Sequence, residues 1–200
     1  MRPTNKYENR LRKQGYNFIA GLDEAGRGSW AGPLVSGAVI FQPNVKIKNI
    51  KDSKLLSESK RQKMFLYITK NCLTWSVGVV APQEIDNLGI LPANRLAFER
   101  AVKRLALKPD YLLIDGLRNL DSAIHNEFVI KGDQKILSIA AASIVAKVVR
   151  DSILNNLNKS YPEYNFHQHK GYGTKKHLDA IHKYGPCEIH RFSFKPINML

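Results

Sequence analysis

Residues 21–33 read GLDEAGRGSWAGP. A short apolar run, residues 17–22, precedes the two acids Asp23 and Glu24, and a second, LVSGAVIF at 34–41, follows the glycines. Two apolar runs of this length separated by Gly26-Arg27-Gly28 predict a strand ending at Asp23, a turn, and a second strand. Successive strand side chains point to opposite faces, so both acids reach one centre only if the glycine turn bends the chain. Gly26 to Ala31 formally matches G-x-G-x-x-A, the dinucleotide fingerprint. That motif should open a helix, whereas Gly32-Pro33 and a strand follow here, and the adjacent acids would repel a pyrophosphate. Glycines without Cβ let backbone amides approach a sugar or phosphate closely, and Arg27 adds a charge-assisted donor. A plain tight turn would use the same glycines.

Outward from this stretch, LTWSVGVV at 73–80 alternates and is β-branched, predicting a third strand. Ser57 is placed to cap a helix running to about residue 72. Pro92 is placed to open another, ending near Pro109. YLLI at 111–114 runs into Asp115-Gly116, and FVI at 128–130 runs into Lys131-Gly132-Asp133. Residues 135–158 hold the strongest helical period, with alanines that permit close packing. A last helix is predicted from Thr174 as cap to Gly185-Pro186. The expected class is α/β: a mixed sheet flanked by helices.

The chain has 200 residues, which suits one domain over residues 1–200, its first 16 residues a basic arm. No repeat or linker divides it. Lys and Arg number 31 against 17 Asp and Glu, a net charge of +14, which favours polyanions, nucleic acid first and anionic membrane second. Cys72 and Cys187 are the only cysteines, without a C-x-x-C pair, which fits a reducing cytoplasm and excludes a zinc knuckle. The basic N-terminus lacks the apolar core of a secretory signal, and no apolar run reaches the roughly 20 residues that span a bilayer.

Asp23 with Glu24, Asp115 and Asp133 each follow an apolar strand. If those strand ends converge at the crevice of an α/β sheet, four carboxylates meet, and their repulsion is relieved by a divalent cation. Oxygen-only ligands suit Mg²⁺ or Mn²⁺. Two such ions, roughly 3.5–4 Å apart, would activate a water and stabilise the leaving oxygen of a phosphodiester. Singly, Asp115-Gly116 reads as a turn and Asp133 as a helix cap. HQHKGYGTKK at 167–176 is the second dense cluster. Tyr172 between glycines, among basic residues, suits stacking on nucleic acid, though a solvated basic loop would look the same.

Together DEAGRG with AGP, DSKLLS, YLLIDG, KGDQKILSIAAASIVAKVVRD, HKGYGT and YGPCEIHRFSF resemble bacterial ribonuclease HII, in the family's order over about residues 17–195. The resemblance implies a ribonuclease H-like fold, with a mixed five-stranded sheet flanked by helices and a helical C-terminal part. It implies a divalent-metal endonuclease that cuts RNA–DNA hybrids, and DNA duplexes with embedded ribonucleotides, on the 5′ side of a ribonucleotide. Such enzymes leave 3′-hydroxyl and 5′-phosphate ends. Asp23, Glu24, Asp115 and Asp133 then look like the metal-binding catalytic acids, served by two Mg²⁺ or Mn²⁺ ions with substrate bound. Gly26, Arg27 and Gly28 look like the reader of the ribose 2′-hydroxyl, the group that distinguishes RNA from DNA. Tyr172 looks like the ring that packs on the next sugar, and Lys54 like a phosphate contact. A cytoplasmic monomer is expected. Neither the extra N-terminal domain of ribonuclease HIII nor a tail with a sliding-clamp peptide is expected. Ser29-Trp30 and Asn94 depart from the family pattern. A resolvase- or transposase-like nuclease of the same fold, or a non-catalytic nucleic-acid binding module, are the competing readings.

Overall fold

The computed structural model describes residues 2–47, 50, 53, 56–116, 120 and 122–199. Its centre is a five-stranded mixed sheet: β1 (Ile19–Ala25), β2 (Leu34–Ile40), β3 (Thr74–Val80), β4 (Tyr111–Asp115) and β5 (His125–Val129), in the order β3-β2-β1-β4-β5. The first three strands form an antiparallel meander, and β4 and β5 join the far side of β1 in parallel. Parallel pairing of β1 and β4 decides where the acids fall. The register matches Leu22 with Ile114, so Asp23 and Asp115, the next residues of each strand, emerge at the same carboxyl end.

The helices are α1 (Lys6–Lys13), α2 (Glu58–Asn71), α3 (Pro82–Leu88), α4 (Ile90–Lys103), α5 (Leu137–Ser160), α6 (Phe166–His169) and α7 (Lys175–Tyr184). The long α5 lies across β1 and β2 on one face, while α4 covers β2 and β3 on the other. Ile139, Ile144 and Val145 of α5 are fully buried, each contributing about 1.5–3 kcal/mol of transfer free energy as an upper bound. Close approach of α5 depends on Gly21, where any Cβ would collide with the backbone of Ser138 and Ile139. Beyond the sheet, α6, α7 and the C-terminal segment build a separate apolar cluster on Ala31, Leu154, Tyr164, Phe166 and Ile181.

Ser57 and Thr174 cap α2 and α7 as expected, each accepting from the backbone three residues on. Other elements differ from the expectation. Strand β1 does not stop at Asp23 but stays paired through Ala25, opposite Val35. Helix α4 begins at Ile90, with Pro92 inside its first turn where no intrahelical N–H is needed. Residues 6–13 are helical and packed, with Leu11 buried beside Ile136 and Ile139. The start of α5 has no cap of its own, since its N-cap residue is Ile136. Glu8 supplies one from α1: its Oε1 accepts from the Ser138 backbone N–H at 2.9 Å, satisfying one of the helix's orphan donors. Thr4 adds a short bridge, donating to the Lys135 carbonyl and accepting from Leu137 N–H, both at 3.0 Å. No described helix is long and apolar enough to cross a membrane.

Candidate active site

Asp23, Asp115 and Asp133 bring carboxylate oxygens within 4.8 Å of one another. The first two sit on adjacent parallel strands. The third arrives on a 3₁₀ turn, Gly132–Gln134, between β5 and α5. That turn is tied to β4, because Asp115 Oδ1 accepts from Gly132 N–H at 2.9 Å. Asp23 is buried, and its Oδ1 accepts from Glu24 N–H at 2.8 Å. Burial holds its carboxyl well above the usual carboxylate range, and the charges of Glu24 and Asp115 push the same way. Hydrogen bonds from the Ser143 hydroxyl and the Glu24 N–H only partly offset this. An all-oxygen cluster whose members resist simultaneous ionisation fits a hard divalent cation.

Glu24 does not join that 4.8 Å cluster; the uninterrupted strand turns its side chain away from Asp23's direction. It nevertheless lines the same cleft, of about 270 Å³, with Lys131 and Gln134. A second cleft, of about 410 Å³, lies on the other side and is lined by Gly26, Arg27, Gly28, Ser53, Ser143, Lys147 and Tyr172. Asp23 and Glu24 belong to both, so the acidic cluster and the glycine–arginine turn share one wall. Arg27 is half-exposed, its guanidinium 4.0 Å from Glu24 Oε1. Lys54 lies outside the described residues; its neighbour Ser53 bonds Ser143 Oγ at 3.0 Å.

Two buried arginines that sequence reasoning left without a role hold the second cleft in shape. Arg150 of α5 donates from Nε to the Pro33 carbonyl, from NH1 to the Lys170 carbonyl, and from NH2 to Ser29 Oγ and the Ala31 carbonyl. Arg191 donates to the carbonyls of Arg27 and Gly32. Gly26 has φ +91°, and a Cβ there would strike Arg150 Nε. The atypical Ser29 thus serves as an Arg150 partner, and its own hydroxyl donates to the Gly26 carbonyl at 2.8 Å. Trp30 N–H donates to the Gly171 carbonyl at 2.8 Å, zipping this loop to the one carrying Tyr172. The Tyr172 ring is partly exposed and lies 5.4 Å from the Arg150 guanidinium and 5.7 Å from Lys147 Nζ, within cation–π reach. Asn94 is fully buried in α4 and lines neither cleft. Lys147 and Arg150 were hidden from sequence reasoning inside the most apolar helix; the signal was two cations three residues apart on a face read as core.

The fold is that of the ribonuclease H-like α/β nucleases. A ribonuclease H2 from Pyrococcus horikoshii superposes with a TM-score of 0.77 at 27% identity, covering 91% of this chain and 96% of that one. A family model described as ribonuclease HII matches residues 20–197. Ribonuclease HII of Vibrio vulnificus is 51% identical over 92% of this chain and 89% of its own length. That of Bacillus cytotoxicus is 49% identical over 96% of this chain and 74% of its own. The chain belongs to the ribonuclease HII family. It is a ribonuclease H: an endonucleolytic hydrolase with a nucleic-acid substrate and a divalent-metal requirement.

Proposed function

We propose that the enzyme cuts one strand of a duplex on the 5′ side of a ribonucleotide, in RNA–DNA hybrids and in DNA carrying a single ribonucleotide. The products carry 3′-hydroxyl and 5′-phosphate ends. The observation that carries this reading is the shared wall: Asp23 and Glu24 border both the carboxylate cluster and the Gly26-Arg27-Gly28 cleft. The group that distinguishes RNA and the bond to be cut belong to the same nucleotide, and the two clefts adjoin through Asp23 and Glu24.

In this reading Asp23, Glu24, Asp115 and Asp133 hold divalent cation, Mg²⁺ or Mn²⁺, with two ions when substrate is bound. The bound ions supply activation of a water and stabilisation of the leaving oxygen. The backbone of Gly26 to Gly28 meets the 2′-hydroxyl, with Arg27 as a charged donor. Tyr172 packs on the neighbouring sugar. Lys54 contacts phosphate. The excess positive charge supplies affinity for the duplex backbone without sequence preference. The enzyme acts as a cytoplasmic monomer built on one catalytic domain.

Asp115→Asn tests this. Cleavage of a duplex with one ribonucleotide should be lost, while binding to that duplex, measured by anisotropy, is retained. Cleavage that survives in Asp115→Asn together with Asp133→Asn would overturn the assignment of the acids.

A further inference from the structure

Three histidine rings lie together behind the loop that carries Tyr172, and none of them lines either cleft of the site. His169 stacks on His177 with ring centroids 4.3 Å apart, and His177 meets His190 edge to edge, Nε2 to Nε2, at 3.0 Å. The proton positions follow from the partners. His190 Nδ1 accepts from the Cys187 backbone N–H at 2.9 Å, with the Cys187 carbonyl farther off at 3.2 Å; a proton on this nitrogen would leave His177 Nδ1 bare against the Tyr172 carbonyl, so it carries none. In a neutral ring the proton is then on His190 Nε2 and is given to His177 Nε2. His177 must carry its own proton on Nδ1, which faces the Tyr172 carbonyl at 3.0 Å. The donors therefore run one way, from Cys187 through His190 and His177 to Tyr172. His169 grips the preceding residue: its Nδ1 accepts from Gly171 N–H at 3.2 Å while Nε2 donates to the Tyr164 carbonyl at 2.7 Å.

We propose that His177 and His190 are positioning residues: a neutral pair with fixed tautomers that holds the Tyr172 carbonyl and so sets the Tyr172 ring at the cleft. The proposal rests on reading Tyr172 as the ring that packs on the substrate sugar. A second proton on His177 would set two N–H groups against each other across the 3.0 Å contact, and one on His190 Nδ1 would face the Cys187 N–H at 2.9 Å. Burial lowers His177 to about 3 and His190 to about 4, with the His169 ring pushing in the same direction; on His177 the bond to the Tyr172 carbonyl only partly opposes this. The groups packed on the pair are Trp30 from the β1–β2 loop, Tyr164 from the turn before α6, Phe166 and His169 of α6, and Cys187. Glu163 and Glu188 are the charges that bear on Cys187. Among the described residues no carboxylate bonds either ring.

Two measurements on the full chain test this. In ¹⁵N-histidine spectra, His177 should show the less common Nδ1-protonated tautomer and His190 the Nε2-protonated one, unchanged between pH 6 and 8. A titrating His177, or the opposite tautomer, overturns the proposal. Kinetics on a duplex with one ribonucleotide supply the second. His177→Leu should raise KM about tenfold with little change in kcat, as loss of one oriented hydrogen bond would. His177→Asn, whose side-chain NH₂ can replace Nδ1–H, should recover most of that loss. In a Tyr172→Ala background His177→Leu should add nothing. If Tyr172→Ala raises KM but His177→Leu does not, or if the two effects add in full, the positioning role is wrong. If Tyr172→Ala leaves KM unchanged, the reading of Tyr172 fails and takes the proposal with it.

Discussion

Arg150 NH1 donates to the Lys170 carbonyl at 2.9 Å, and through this bond α5 fixes the Tyr172 loop to the glycine–arginine loop. The same guanidinium reaches Pro33, Ser29 and Ala31. A fully buried charge normally costs stability unless its donors are satisfied. Here each of the guanidinium's three nitrogens has an oxygen partner. Lysine cannot reproduce that fork. Arg150→Lys should therefore destabilise the enzyme by about 3 kcal/mol, several buried bonds being lost together. Urea unfolding reads this directly; a change near zero would mean the two loops hold their shape without Arg150.

Asp23 is expected to work against the stability of the metal-free fold. Its carboxyl is raised above the ordinary value by burial and by Glu24 and Asp115. A raised folded pKa means that its favourable contribution is complete below the unfolded value and is lost as pH rises through the folded one. Asp23→Asn should thus raise the melting temperature in chelator at pH 8, by about 2–4 °C for each kcal/mol gained, while abolishing cleavage. Added Mg²⁺ should stabilise the wild type more at pH 8 than at pH 5, and should do little for the variant. A lower melting temperature for Asp23→Asn in chelator would mean its ionised form is held by more than the structure supplies.

Arg27 and Tyr172 divide the recognition task. Arg27→Ala and Tyr172→Ala should each reduce the preference for a ribonucleotide-containing duplex over all-DNA by about tenfold, the worth of one well-placed contact. The ratio of kcat/KM on the two duplexes measures it. Full discrimination in the double variant would remove both loops from the account.

Glu8 is a cap supplied from more than a hundred residues away in sequence, as the distance between Glu8 and Ser138 shows. Glu8→Ala should cost about 1–2 kcal/mol, as loss of a capping acceptor does, with Glu8→Gln milder because an amide oxygen can still accept. Burial raises the Glu8 carboxyl, so its contribution too declines as pH rises through the folded value. Glu8→Gln should flatten that part of the stability profile, and thermal melts from pH 4 to 8 would reveal it. Equal melting curves for wild type and Glu8→Ala would show that the bridge at Thr4 holds the start of α5 alone.

What the sequence made legible was local. Apolar runs marked β1, β2 and β4 and alternation marked β3, and the acids could be seen following β1 and β4. Helical period marked α5, and Ser57 and Thr174 marked their helix starts. The parallel register that sets Asp23 beside Asp115 is non-local and left no trace in either segment. Glu24 was expected at the same centre as Asp23, on the premise of a bend; the strand instead runs on to Ala25, so the two acids face different ways while lining a common cleft. The N-terminal residues 6–13 read as a charged arm because only one narrow face, Glu8 and Leu11, is buried. Arg150 and Arg191 were invisible as staples because, Ser29 Oγ apart, their partners are backbone carbonyls, which any sequence would offer.

The most direct test of the whole account is cleavage of an end-labelled DNA duplex carrying one ribonucleotide, with Mg²⁺, with Mn²⁺ and with chelator, beside an all-DNA duplex. A single metal-dependent cut on the 5′ side of the ribonucleotide is expected, and none in the control. Equal cutting of both duplexes, or binding without any cut, would contradict it.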